Sequence, residues 1–175
     1  SIEKVRILIG IDVDKYIVEA NNRGQLFFGA EKMVKQDYLA RLRKDIEQSK
    51  YSKEVEEGIF QLVEDLISGK LELRTHPKKK IHAKIYLLYP KEFNEYTFGA
   101  AITGSSNLSG NGLGISQDCQ YEFNVKLTDY EDVKFARDEF EQLWEEAKDC
   151  SILADDIKDG PIMGTYLGGD VTPYE

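Results

Sequence analysis

The chain has 175 residues, 41% of them hydrophobic and 31% charged, with a formal net charge of −9. That length suits one domain whose core needs neither disulfides nor metal to hold it. No apolar run approaches the ~18 residues of a membrane span, no secretory signal opens the chain, and two cysteines with two histidines but no CxxC exclude a zinc site. Cys119 and Cys150 read as reduced thiols, which places the expected compartment in the cytoplasm, and no cofactor is expected.

The acidic total hides an uneven distribution. Residues 70–91 hold seven Lys/Arg against one acid, and residues 129–159 hold twelve acids against four bases. An acidic protein with one concentrated basic stretch still attracts a phosphate at that stretch.

In chain order, "VRILIGI" (5–11) is β-branched and apolar without helical period, the mark of a buried strand. A core strand so close to the first residue gives the chain the look of a fragment. Residues 12–30 are mixed and receive no assignment. From Glu31 to about Gln48, Val34, Tyr38, Leu42 and Ile46 recur every four residues beside Leu39, one face of an amphipathic helix. Ser52 is placed to cap a second helix with the stripe Val55, Ile59, Leu62, Val63 and Leu66, and Gly69 to end it.

"LELRT" and "IHAKIYLL" then read as strands separated by Pro77 and the lysine run, and "TFGAAITG" as a further buried strand. "SSNLSGNGLG" is a turn. In "CQYEFNVKL", Tyr121, Phe123, Val125 and Leu127 alternate with Gln120, Glu122 and Asn124. A last helix, with capping-box spacing from Thr128 to Glu131, carries Val133, Ala136, Phe140, Leu143, Trp144 and Ala147 on its buried face. The glycine-rich tail 158–175 reads as a linker toward an absent C-terminal region, leaving 1–157 as the domain. The order of elements predicts an α/β domain with a mixed central sheet covered by helices.

The chemistry gathers in "KKKIHAKIYLLYP" (78–90) and in the two strands after it. Alternate residues of a strand share a face, so His82, Lys84 and Tyr86 are expected to point together, with Ala83, Ile85 and Leu87 turned to the core. The next strand ends at "GSSN", where Ser105 and Asn107 are also two apart, and Glu122 and Asn124 repeat the pattern one strand later. Such a set supplies an imidazole nucleophile or acid, a cation and hydrogen-bond donors for phosphate oxygens, and a carboxylate to orient the imidazole. "HPK" at 76–78 has the same H-x-K spacing, but Pro77 marks it as a turn.

"HAK" followed by "GSSN" resembles the phospholipase D superfamily, whose signature is H-x-K-x4-D followed later by G-S-x-N. His82, Lys84, Gly104, Ser105 and Asn107 match, while the Asp position holds Tyr89. A nuclease branch of that superfamily also lacks this Asp and carries a Glu on a later strand, where Glu122 stands here. The resemblance implies an α/β/α sandwich and metal-free phosphodiester cleavage. In that chemistry one histidine attacks phosphorus and a second, from a facing half-site, protonates the leaving oxygen. His82, Lys84, Ser105, Asn107 and Glu122 would be catalytic, and Gly104, Ser106, Lys78, Lys79 and Lys80 would contact substrate. One copy of the motif implies a homodimer, a second half elsewhere, or a site that only binds.

The chain also resembles the phospholipase D-like domain N-terminal to the motor of bacterial superfamily II helicases, the SNF2-like group included, through "TGSSNLSGNGLG…YEFNV". The expected partner is therefore nucleic acid, DNA first, with no membrane. No G-x-x-x-x-G-K-[ST] occurs, so ATP-driven activity would belong to another part. The alternatives are a catalytically degenerate DNA-binding module of a helicase and a subunit of a restriction-type endonuclease.

Overall fold

The computed structural model describes residues 2–10, 28–48, 52–79, 81–106, 121–163, 165 and 167, with the backbone alone for 28–31. It is a mixed α/β chain. The described elements are β1 (Val5–Gly10), α1 (Phe28–Gln48), α2 (Lys53–Ile67), β2 (Leu71–His76), β3 (Ile85–Leu88), β4 (Ala100–Gly104), β5 (Asn124–Leu127), α3 (Tyr130–Glu146), β6 (Ser151–Ile152) and α4 (Ala154–Ile157). A 3-10 turn spans Lys148–Cys150 and a π-helical turn spans Lys158–Ile162. Among the described residues no helix is long and apolar enough to cross a membrane.

The chain gathers into two compact units, Ser1–Ile81 with Glu146–Glu175, and His82–Glu145. In the first, β1 lies parallel to β2 from Val5↔Leu71 to Gly10↔His76, and β2 pairs antiparallel with β6 through Leu73↔Ile152. Parallel neighbours need a long connection, and α1 and α2 lie within it. Both helices follow their apolar periodicity. Val34 and Ile46 of α1 are buried, and Val63 of α2 joins Leu73, Ile152, Ile157 and Ile162 in one core cluster. The Ser52 hydroxyl accepts from the Val55 N–H at 3.2 Å and opens α2. Gly69, at φ +73°, closes it where a side chain would be strained.

Ile162 and Pro161 are buried, so the stretch read as linker supplies core residues immediately beyond Ile157. Its glycines and proline conceal that role because a single helical turn shows no period. His76 is the second departure. It ends β2 and is fully buried, not part of the turn after it. Thr75 beside it is equally buried, and its hydroxyl donates to the Cys150 carbonyl at 3.4 Å.

The second unit holds the antiparallel sheet β3–β4–β5 and most of α3. The ladder runs from Leu88↔Ala100 to Ile85↔Thr103, and from Ala101↔Leu127 to Gly104↔Asn124. Ala101 and Val133 are completely buried. Asp129, not Thr128, caps α3: its carboxylate accepts from the Glu131 N–H at 3.0 Å and its carbonyl from Val133 at 3.1 Å. Aspartate also places a negative charge at the positive end of the helix dipole, which threonine does not.

Tyr89 anchors the 89–99 connection to α3. Its hydroxyl donates to Glu141 at 3.1 Å and its ring meets Phe93 edge-on at 6.1 Å. The Arg137 guanidinium lies 4.5 Å from the Phe93 ring centre, and Tyr130 stacks on Phe93 at 5.7 Å.

Two outcomes are expected for the first unit. Truncating Leu73 to alanine outweighs losing the Ser52 cap, about 3 kcal/mol against about 1 in urea denaturation. The second concerns pH. Burial holds the His76 imidazole below its ordinary value of 6.5, opposed by the hydrogen bond and charge of Glu146 and reinforced by Lys79 and Lys78. Below 6.5 the unfolded chain therefore binds a proton that the folded chain does not. Stability falls as pH drops from 6.5 toward the folded value, and His76 contributes no further loss below that value. His76→Asn removes this component, and the difference between the two stability–pH curves measures it.

Candidate functional site

Antiparallel pairing brings the motif residues to one end of the second sheet. The start of β3, the end of β4 and the start of β5 coincide there, because Ile85 pairs with Thr103 and Gly104 with Asn124. His82 and Lys84 therefore lie just before the first paired residue of β3, Ser105 and Ser106 just after the last of β4, and Glu122 just before β5.

His82 and Lys84 are not inside a ladder, contrary to the sequence expectation. Strand pairing begins only at Ile85. Ala83, between the two polar side chains, is exposed, and Ile85 after them is 46% exposed, so neither is a core anchor. Leu87, opposite buried Ala101, is the one that turns inward. The two polar side chains do meet. The Lys84 ammonium is 3.3 Å from His82 Nδ1 and 3.4 Å from Nε2. Near-equal distances to both nitrogens mean that the ammonium is aimed along neither lone pair. Cation and imidazole are thus side by side.

Gly104 explains the tight join of β4 and β5. A Cβ there would collide with the Phe123 carbonyl and lie 2.7 Å from the Asn124 Cα. Because the backbones approach this closely, the next two serines reach across. Ser105 Oγ donates to the Glu122 carboxylate and accepts from the Phe123 N–H at 3.0 Å. Its own N–H donates to the Phe123 carbonyl at 3.1 Å. Asn124 Nδ2 donates to Ser106 Oγ at 2.6 Å, the Ser106 N–H reaches Asn124 Oδ1 at 3.4 Å, and Tyr86 donates its hydroxyl to the Ser106 carbonyl at 2.9 Å.

The expected division of labour shifts accordingly. The Glu122 carboxylate, expected to orient the imidazole, is engaged by Ser105. Ser106, expected to touch substrate, is buried and locked between Asn124 and Tyr86. Asn124 is a site-building residue that the motif does not name. Its only sequence signal is its alternation with Glu122. Asn107 and Lys80 lie outside the described residues, as does Cys119.

Lys78 and Lys79 belong to the first unit, where both are exposed. There they flank His76, whose Nδ1 accepts from the N–H of Lys78 at 3.1 Å and of Lys79 at 3.0 Å. His76 Nε2 is 3.2 Å from Glu146 Oε2, and the Lys79 ammonium is 3.0 Å from the same oxygen. Pro77 accounts for the turn after His76, and the intact β2 ladder accounts for the burial of His76 itself.

Comparison with protein-family models, with curated proteins and with solved structures finds no match.

Gly104→Ala is expected to separate β4 from β5, at a cost of about 2 kcal/mol by urea denaturation, since backbone and not a pliable side chain blocks the new methyl. Asn124→Ala is expected to release the Ser106 segment, seen as faster amide exchange at Ser106 with the β3–β4 amides unaffected.

Proposed function

We propose that the second unit carries a phospholipase D-type half-site that cleaves phosphodiester bonds in nucleic acid, DNA first, within an α/β/α sandwich of that superfamily. The observation that carries this reading is the convergence of His82, Lys84, Ser105 and Glu122 at one sheet end through the β3–β4–β5 register. His82 attacks phosphorus and forms the N–P bond as the P–O bond to the leaving group breaks. Lys84 neutralises a non-bridging oxygen, and Asn107 adds a donor. Water then cleaves the N–P bond, returning the free imidazole and a phosphate monoester. Glu122, through Ser105, holds the hydroxyl in place beside the same phosphate.

The leaving oxygen needs a proton, which a second His82 supplies in a homodimer. The sequence resemblance supports reading the domain as the accessory part of an ATP-dependent helicase, with the cytoplasm as its compartment.

A second reading is a binding module that holds a DNA phosphate without cutting. The engagement of Glu122 by Ser105 favours it, together with Tyr89, built into the aromatic cluster where the superfamily has aspartate.

The test is cleavage of labelled single- and double-stranded DNA in EDTA. Under the first reading the wild type cuts and His82→Ala loses at least about a thousandfold in rate, the scale of a removed nucleophile. Salt-sensitive binding by both proteins without cutting selects the second reading. Neither cutting nor binding rejects both.

A further inference from the structure

We propose that His76 is a positioning residue for phosphate contacts by Lys78 and Lys79, its neutral imidazole holding the backbone of the lysine turn in the form that grips a polyanion. The inference rests on the nucleic-acid reading above, and it concerns the first unit, apart from the His82 site.

The geometry fixes the ring's tautomer. Nδ1 accepts two backbone N–H groups, from Lys78 at 3.1 Å and Lys79 at 3.0 Å, so Nδ1 carries no proton. The neutral ring then carries its proton on Nε2, which donates to Glu146 Oε2 at 3.2 Å. The imidazole thus links the turn on one side to the last residue of α3 on the other. Pro77, buried between His76 and the lysines, fixes its own φ and has no N–H to satisfy. Both lysines are exposed, with the Lys79 ammonium against Glu146.

Protonation undoes it. A hydrogen on Nδ1 points at two donors, and both bonds are lost together. The charged groups that act on His76 are Glu146, from the end of α3, and Lys79 and Lys78, from the turn. Across the ladder β1 offers Gly10, which has no side chain, and the 3-10 turn offers the Cys150 carbonyl, already taken by Thr75. Glu146 also holds the Lys79 ammonium, at 3.0 Å and 3.3 Å to its two oxygens. It therefore places the lysine head and competes with an incoming phosphate for it.

Polyanion binding ordinarily strengthens as pH falls, because histidines gain charge and carboxylates lose it. Loss of the His76 clamp opposes that trend. Asparagine separates the two effects, since its Oδ1 stands where Nδ1 stood, accepts the same N–H groups and does not titrate.

The experiment is fluorescence anisotropy of labelled oligothymidylate with the full chain, from about pH 8 down to about pH 5.5, spanning the histidine range. Circular dichroism at each pH monitors the fold. Wild type, His76→Asn, His76→Ala and Glu146→Gln are compared. The expected results are an affinity of H76N that rises on acidification, and a wild-type affinity that falls below it once the pH passes the folded imidazole's lowered range. H76A binds weakly throughout, with a salt slope shallower by roughly one to two. E146Q binds about threefold tighter, the scale of one exposed ion pair removed. Superimposable pH profiles for wild type and H76N overturn the proposal, as does wild-type binding by folded H76A. If H76A does not fold, the comparison of wild type with H76N decides. A wild type that binds no oligothymidylate at any pH overturns the nucleic-acid reading and this inference with it, whereas binding unchanged by H76A overturns this inference alone.

Discussion

The absence of a side chain at Gly104 lets β4 and β5 close to backbone contact at the end of their ladder, and the candidate site is built on that closeness. A methyl group there would strike the Phe123 carbonyl. Without the close approach, Ser105 could not both donate to Glu122 and accept from Phe123, and Asn124 could not reach Ser106. The two serines therefore do different work despite being adjacent. Ser105 is exposed beside a carboxylate. Ser106 is buried and fastens the strand end, its carbonyl tied to Tyr86 of β3. Three strands are joined at the end where the histidine and lysine enter.

This division has a chemical consequence. A phosphate oxygen approaching such a sheet end would meet an ammonium beside an imidazole, whereas the Ser105 hydroxyl proton is already committed to Glu122. A cation held in place before the substrate arrives needs little reorganisation when charge develops. The carboxylate acts on the hydroxyl here, and the Lys84 ammonium lies beside the His82 ring without aiming at either nitrogen.

Much of the framework is legible in the sequence because it rests on periodicity. The four-residue recurrence of Val34, Tyr38, Leu42 and Ile46, the Ser52 cap and the Gly69 stop all stand where the pattern puts them. That the start of β3 and the end of β4 share one end of the sheet is legible too, since adjacent antiparallel strands must bring the start of one to the end of the next. The features that escape a sequence reading do so for physical reasons. Strand pairing begins at Ile85, and an apolar run does not reveal where pairing begins, so Ala83 and Ile85 look buried when they are exposed. Ile162 lies in a single helical turn, too short to show a period. His76 is obscured by Pro77, which signals a turn but does not say that the residue before it still belongs to the ladder. Asp129 outcompetes Thr128 as a cap through its charge, a choice that spacing alone does not make.

The central claim is that the end of the β3–β4–β5 sheet is one phosphate site. The most direct measurement is titration of the isotope-labelled chain with inorganic phosphate, monitored by amide chemical shifts. The account predicts that His82, Lys84, Ser105, Ser106, Glu122 and Asn124 shift together along one binding curve, and that Gly104→Ala abolishes the joint response. Shifts confined to Lys78 and Lys79, or scattered over the acidic face of α3, would contradict it.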